Sequence, residues 1–502
     1  MNQAIVRLFG VIILMFAVLI AFTSRWTVFD ASSLDHNRLN RLQDYAALKI
    51  KRGSILAENG KVVLARSVRQ PGGTWKRVYP QGPLFSQALG YYIPGPPHKA
   101  TGLEAARNTE LEGVQNALTS VFGSFNGTPQ VGDDVYTTLD PKTQELAREQ
   151  VQQVMSAYGA TSGSVVAIVP QTGAVKVLYS STSYNDNDPN ACKTPGCQVF
   201  DAVQGRYPPG STFKLITTTA ALDSGRYTPD SMFNGNSPVT ISGHSLENDN
   251  NRNYGPVTLT QALTYSINTV YAPLGLKLGS SLMQQYMQRF GFYQVPPIDY
   301  PVNELLASGE LFFQGACNHS TKPKLLPVTN SCVDLGRTAI GQANLAVTPM
   351  QMAMVVSAIA DDGKMMEPRL TSRIVNNDGQ VVEKISPKEY DQVMKPKAAG
   401  ELHAMMRDVV EEGTGTAANL EGLAIAGKTG TASTGLCYHE QPVNGSCPNG
   451  EPLDDAWFVG FPESDPKIAV AVELTDIRNG YGGTYAAPIA AKIIEALLAE
   501  KR

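Results

Sequence analysis

Residues 207–214 read YPPGSTFK, with Ser211 three positions ahead of Lys214 and directly behind Pro208, Pro209 and Gly210. Two prolines and a glycine do not continue a helix, whereas the following STFKLITTTAAL (211–222) can form one. Ser211 is therefore expected at or near a helix N-terminus. Positions i and i+3 share a helix face, so Lys214 projects beside the Ser211 hydroxyl. The amide end of a helix also favours developing negative charge. A hydroxyl, an adjacent base and a positive environment together make an activated nucleophile. Taken alone, S-x-x-K is better explained as an ordinary serine cap.

Two further stretches reverse that preference. YSINT (265–269) places Ser266 and Asn268 two apart within a region, 258–279, that reads as helical. GKTGTA (427–432) falls on a predicted strand and carries Lys428, Thr429, Gly430 and Thr431. S-x-x-K, then S-x-N, then K-T-G, in that order, is the pattern of penicillin-recognising serine enzymes. From about Ala160 onward the sequence resembles the penicillin-binding proteins. Supporting stretches are RTAIGQANLAVTPMQMA (337–353), EEGTGTA (411–417), DAWFVGF (455–461) and GGTYAAPIA (482–490). The long N-terminal region narrows the resemblance to class B, the monofunctional transpeptidases, which have a membrane anchor and a non-catalytic pedestal. RGSIL (52–56) and VYTTLD (135–140) resemble pedestal motifs. One departure is Ala57-Glu58, where the family has Asp-Arg.

The resemblance implies acyl transfer from a D-Ala-D-Ala stem peptide, with no cofactor and with β-lactams as covalent inhibitors. Ser211 would be the nucleophile, Lys214 its base and Ser266 a proton relay. Asn268 would hold the substrate amide, and Thr429, Thr431 and Lys428 its terminal carboxylate. The substrate would add as a strand along 428–431, including Gly430. The Ser211 and Thr431 amides would form the oxyanion hole. The glycan strands must come from another protein, and the resemblance implies a SEDS-family glycosyltransferase partner in the membrane.

Around these motifs the chain reads as an α+β fold. A hairpin at 163–181 turns at PQTG, helices fill the middle, and strands return at 423–433, 455–463 and 467–476 before an alanine-rich helix. Strands early and late predict an antiparallel sheet flanked by helices, with a helical subdomain beside it. Upstream, 52–67 reads as two short strands around Asn59-Gly60, 102–113 as a solvated helix, and 141–158 as a helix started by Pro141. The expected division is 1–24 cytoplasmic stub and anchor, 25–158 elongated pedestal, and 159–502 transpeptidase domain.

Leu8–Phe22 is wholly apolar and, extended back to Ala4, approaches the length of about 20 residues that crosses a bilayer. No small-x-small cleavage site follows, so a retained single-pass anchor is preferred to a cleaved signal. Either way, everything after Trp26 lies outside the cytoplasm. Six cysteines fall in three close pairs, Cys192/Cys197, Cys317/Cys332 and Cys437/Cys447. They allow 15 pairings, of which local pairing is the simplest, and an oxidising compartment would make them disulfides. A net charge of −4 without a basic tract argues against nucleic acid as a partner.

Weaker candidates have plainer readings. GHSLE (243–247) reads as a loop, since Glu247 replaces the second glycine of a hydrolase elbow. Trp457 and Phe461 read as core, and Asp454 and Asp455 as a charged edge. The rival functions are a D,D-carboxypeptidase or β-lactamase on the same scaffold, and a non-catalytic sensor or assembly scaffold.

Overall fold

The computed structural model describes residues 3–29, 45, 47–94, 99–113, 130–193, 196–438, 441, 447, 448 and 450–499. The interiors of the two loops closed by Cys192/Cys197 and Cys437/Cys447 fall partly outside these residues. The apolar N-terminal run forms helix α1, Gln3–Ser24. Its stretch Ile5–Ser24 is 20 residues long and is not buried by any of the described residues.

The N-terminal sheet begins with strands β1 (Ile55–Leu56), β2 (Val63–Arg69), β3 (Trp75–Val78) and β4 (Asp134–Thr137). The β1–β2 hairpin turns at Asn59-Gly60 as expected, with Gly60 at φ 66°. Helix α2, Pro141–Tyr158, follows; Pro141 opens it and Asp140 caps it by accepting the Thr143 amide. Residues 102–113 differ from expectation. They form two short helical turns, Gly102–Ala106 and Asn108–Glu112, and are not solvated. Leu103, Glu104 and Leu111 are fully buried. Glu104 tolerates burial because Arg52 and Arg77 donate to it at 2.7 and 2.6 Å.

The second sheet starts with the hairpin β5 (Ser162–Val169) and β6 (Ala174–Ser180). After it come helices α3 (Lys214–Asp223), α4 (Leu259–Thr264), α5 (Asn268–Leu278), α6 (Pro349–Ala360) and α7 (Pro396–Glu411). Strands β7 (Thr371–Val375) and β8 (Val381–Lys384), lying between α6 and α7, return to the first sheet. That sheet has the order β8-β7-β4-β1-β2-β3, so it takes strands from both sides of residue 158. Strands β9 (Ile425–Cys437), β10 (Pro452–Pro462) and β11 (Ala469–Arg478) complete the second, and helix α8 (Gly482–Ala499) ends the fold.

The second sheet has the order β9-β10-β11-β5-β6 and is antiparallel throughout. Its strands do come from both ends of the region. Both faces are covered, which is why β5 and β6 are buried along their whole length without alternation. Val165, Ala167, Val470 and Val472 face a core shared with α2 and α8. Val166, Ile168, Trp457 and Val459 face the core built with α3, α6 and α7. Each fully buried Val or Ile contributes about 1.5–3 kcal/mol. The sheet is thus packed on both faces, and among the described residues β9 is one of its edges. Three disulfides join Cys192–Cys197, Cys317–Cys332 and Cys437–Cys447, the local pairs.

Candidate active site

Ser211 does not open the α-helix directly. Gly210–Phe213 is a 3-10 turn, and α3 begins at Lys214. The Pro209 carbonyl accepts the Thr212 hydroxyl at 2.7 Å, which tightens the turn. The turn is clamped from three sides. The Gly210 amide donates to the Gly341 carbonyl at 3.0 Å, and the Trp457 indole N–H donates to the Pro208 carbonyl at 3.0 Å. From β9, the Thr431 backbone approaches so closely that a Cβ on Gly210, at φ 51°, would meet its oxygen at 2.5 Å. Only glycine fits there. Ser211 itself stays partly exposed above a buried Thr212.

The S-x-N pair sits at a break rather than inside a helix. α4 ends at Thr264, α5 begins at Asn268, and Ser266 between them takes φ 58°. This left-handed residue turns its hydroxyl toward two lysines. The Lys214 Nζ donates to the Ser266 carbonyl at 2.7 Å, to Ser266 Oγ at 3.1 Å and to Asn268 Oδ1 at 2.7 Å. The Lys428 Nζ reaches the same Ser266 Oγ at 3.0 Å and the Thr429 carbonyl at 3.1 Å. Lys214, Ser266, Asn268 and Lys428, distant along the chain, therefore meet at one site beside the turn that carries Ser211.

Both lysines are fully buried, and neither has a carboxylate partner in these bonds. Burial, and secondarily the charge of Lys428, depresses Lys214 well below the ordinary lysine value. Burial brings Lys428 down to about 7. An amine near neutrality can take a proton from a hydroxyl, and an ordinary lysine cannot.

Among the described residues strand β9 is an edge of the sheet, and it brings Lys428 to Ser266. Thr429 Oγ1 shares a 2.6 Å hydrogen bond with Thr414 Oγ1, and the Gly482 amide at the start of α8 donates to Thr431 Oγ1 at 3.3 Å. Gly430 lies against the Pro209 carbonyl, where a Cβ would come to 2.7 Å. Asn268 Nδ2 donates to the Glu247 carbonyl at 3.2 Å, so its amide is held from both ends.

Sequence reasoning missed four contributors. Trp457 is core, as expected, but its N–H also holds the turn that carries Ser211. Thr414, Gly341 and Tyr271 likewise touch site residues. Thr414, Gly341 and Trp457 all lie in the supporting stretches, so the signal was there without an assigned role. Residues 243–247 are not a plain loop, because His244–Leu246 pairs with Val239–Ile241 as a small hairpin. Asp455 is not a charged edge. It is buried, and burial first, with the neighbouring Asp476 and Asp454 adding, raises it to about 7. Among the described residues no cluster of His, Cys, Asp or Glu is arranged to hold a metal ion.

Known proteins resemble this chain in sequence and in fold. The model of the penicillin-binding protein transpeptidase domain matches residues 163–495, and that of the penicillin-binding protein A dimerisation domain matches 52–135. The chain is 31% identical over 535 aligned positions, covering all of both chains, to the peptidoglycan D,D-transpeptidase PbpA of Mycolicibacterium smegmatis. The penicillin G acyl-enzyme complex of penicillin-binding protein A from Mycobacterium tuberculosis superposes with TM-score 0.74 at 29% identity, covering 89% of this chain and 99% of that one. The D,D-transpeptidase domain from Eggerthella lenta gives TM-score 0.72 at 29% identity, covering 90% and 99%. A family match spanning well over half of the chain and a relative aligned end to end place it plainly: this protein belongs to the penicillin-binding protein transpeptidase family.

Proposed function

We propose that the protein is a membrane-anchored D,D-transpeptidase that cross-links peptidoglycan stem peptides through a serine acyl-enzyme, and that β-lactams trap that intermediate. The observation that carries this reading is the convergence of Lys214 and Lys428 on the Ser266 hydroxyl beside the Ser211 turn. Its mycobacterial relatives bear the matching name and, in one case, a penicillin acyl group.

Neutral Lys214 takes the Ser211 proton as Oγ attacks the penultimate D-Ala carbonyl. The tetrahedral oxyanion is received by the Ser211 and Thr431 amides, each such donor contributing about 3 kcal/mol. The proton then passes from Lys214 through Ser266 to the departing amine of the terminal D-Ala. An acceptor amine from a second stem peptide attacks the ester, loses its proton along the same path, and frees Ser211. Asn268 orients the substrate amide. Thr429 and Thr431 bind the terminal carboxylate with Lys428, and the donor peptide pairs along the β9 edge at 428–431.

We assign residues 1–24 to the anchor with its N-terminus in the cytoplasm, 25–158 to the pedestal and 159–502 to the catalytic domain, with β7 and β8 lent back to the pedestal sheet. The catalytic domain is extracytoplasmic on this reading, which suits its three disulfides. A SEDS-family glycosyltransferase supplies the glycan strands through contacts with the anchor and pedestal; failure of the two to co-purify in mild detergent would remove that part of the proposal.

The decisive experiment is intact-mass analysis with a labelled penicillin. The wild-type chain gains one acyl group, mapped to the Ser211 peptide, and Ser211→Ala gains none. Undiminished labelling of Ser211→Ala would reject the assignment. Rapid release of the acyl group would turn the reading toward a β-lactamase or carboxypeptidase.

A further inference from the structure

Lys214 sits against a ring as well as against hydrogen-bond acceptors. Its Nζ lies 5.4 Å from the centroid of the Tyr271 ring, and both side chains are fully buried. Tyr271 is held in place from behind. Its hydroxyl shares a 2.8 Å hydrogen bond with Thr218 Oγ1, and Thr218 Oγ1 lies 2.7 Å from the Lys214 carbonyl. Thr218 is one turn beyond Lys214 on α3, while Tyr271 is on the first turn of α5, whose first residue is Asn268. The ring therefore stands between the helix that carries the amine and the helix that carries Asn268.

The surroundings of Lys214 make this contact informative. The 266–268 turn supplies a carbonyl, a hydroxyl and an amide oxygen, all uncharged. β9 supplies Lys428, a like charge, and α5 supplies Tyr271. The group that should become an ammonium in the reaction thus has no anionic partner among the groups that act on it. A π face is electron-rich and attracts a cation without carrying a charge of its own. Such a partner stabilises the ammonium when it forms and still leaves the free amine accessible. A carboxylate here would hold the proton permanently.

We infer that Tyr271 is a positioning residue for acyl transfer, its ring face stabilising the positive charge that appears on Lys214 as the Ser211 O–H bond breaks and the N–H bond forms. The proton comes from Ser211, rests on Lys214 and leaves toward the departing amine, so no outside acid or base is needed. This inference rests on the proposed role of Lys214 as base.

The test uses the full chain in detergent, with the rate of acylation by labelled penicillin followed against pH. Tyr271→Phe keeps the ring and stays within about twofold of the wild-type rate. Replacing that phenylalanine with mono-, di- and trifluorinated analogues keeps the shape and weakens the ring's attraction stepwise. The acylation rate falls with each fluorine, to about one-tenth for the trifluoro form, and the acid limb moves to lower pH. Tyr271→Leu shows the same shift. A flat fluorine series, or a Tyr271→Phe protein as slow as Tyr271→Leu, overturns the inference. Lys214→Met separates the two levels. If it acylates at the wild-type rate, the base assignment itself has failed; if it is inactive and the fluorine series is flat, only the role of Tyr271 falls.

Discussion

Glu104 in the N-terminal unit and Lys214 in the cleft are both fully buried ionisable side chains, yet their environments differ in one respect. Glu104 lies between Arg52 and Arg77, within 2.7 and 2.6 Å. Burial alone would raise its pKa, but the two guanidinium groups outweigh burial and hold the carboxyl below its ordinary value. Lys214 has uncharged acceptors and a second lysine, so burial and like charge act in the same direction and depress it. A buried charge with counter-ions stays charged and fixes structure. A buried charge without them gives up its proton readily and becomes a reagent. The same chain thus uses burial to lock charge at one site and to loosen it at another.

Removing the reagent tests the comparison most severely. Lys214→Met should slow penicillin acylation by about 10³-fold, within the range for a lost general base. Its thermal midpoint should be unchanged or higher, because methionine fills similar space without the cost of taking an amine out of water and stripping its proton. A large fall in the midpoint would mean that Lys214 holds the fold together as Glu104 does. Glu104→Ala should behave in the opposite way. It leaves two guanidinium groups buried against a lost partner and costs about 3–5 kcal/mol of stability, read as a lowered urea midpoint. Its acylation rate, measured on folded protein, should stay within about twofold of wild type. A Glu104→Ala protein of normal stability would show that the paired charge is not structural.

Much of this contrast could be read in the sequence, and the reasons for the gaps are physical. The family signified by the order of the three motifs, the anchor-length apolar run and the antiparallel sheet with strands from both ends are all legible in the sequence. Periodicity and breakers report on local structure, and here local structure agreed with the fold. Residues 102–113 read as solvated because a Glu-rich helical pattern ordinarily faces water. Their burial depends on Arg52 and Arg77, which are distant in sequence. The return of β7 and β8 to the first sheet could not be read for the same reason, since strand pairing across more than 200 residues leaves no local trace. Ser266 reads as helical only because the surrounding stretch 258–279 does; its positive φ goes with the tertiary contacts of its hydroxyl and carbonyl with two lysines. Trp457 was recognised as core and nothing more, because a buried indole looks the same in sequence whether or not its N–H has a target.

The pH dependence of stability offers a finer measure of the same contrast. Unfolded, Lys428 titrates near 10.5; folded, burial brings it to about 7. Between those values the unfolded chain holds a proton that the folded chain lacks, so raising the pH across this window stabilises the fold. One such lysine adds at most about 1.4 kcal/mol per pH unit. Below about 7 both states are protonated, the slope from this residue vanishes, and the full cost of burying the charge remains. The slope is best isolated as a difference between wild type and Lys428→Met, each unfolded in urea at several pH values from 7 to 9. Wild type should gain on the variant as pH rises; Glu104, held below its ordinary value, also adds stability as pH rises, but only in the acid range. Parallel pH curves for the two proteins would mean that Lys428 keeps its proton when buried. The second lysine would then be a fixed charge in the cleft, and the near-neutral amine that the chemistry needs would have to be supplied by Lys214 alone.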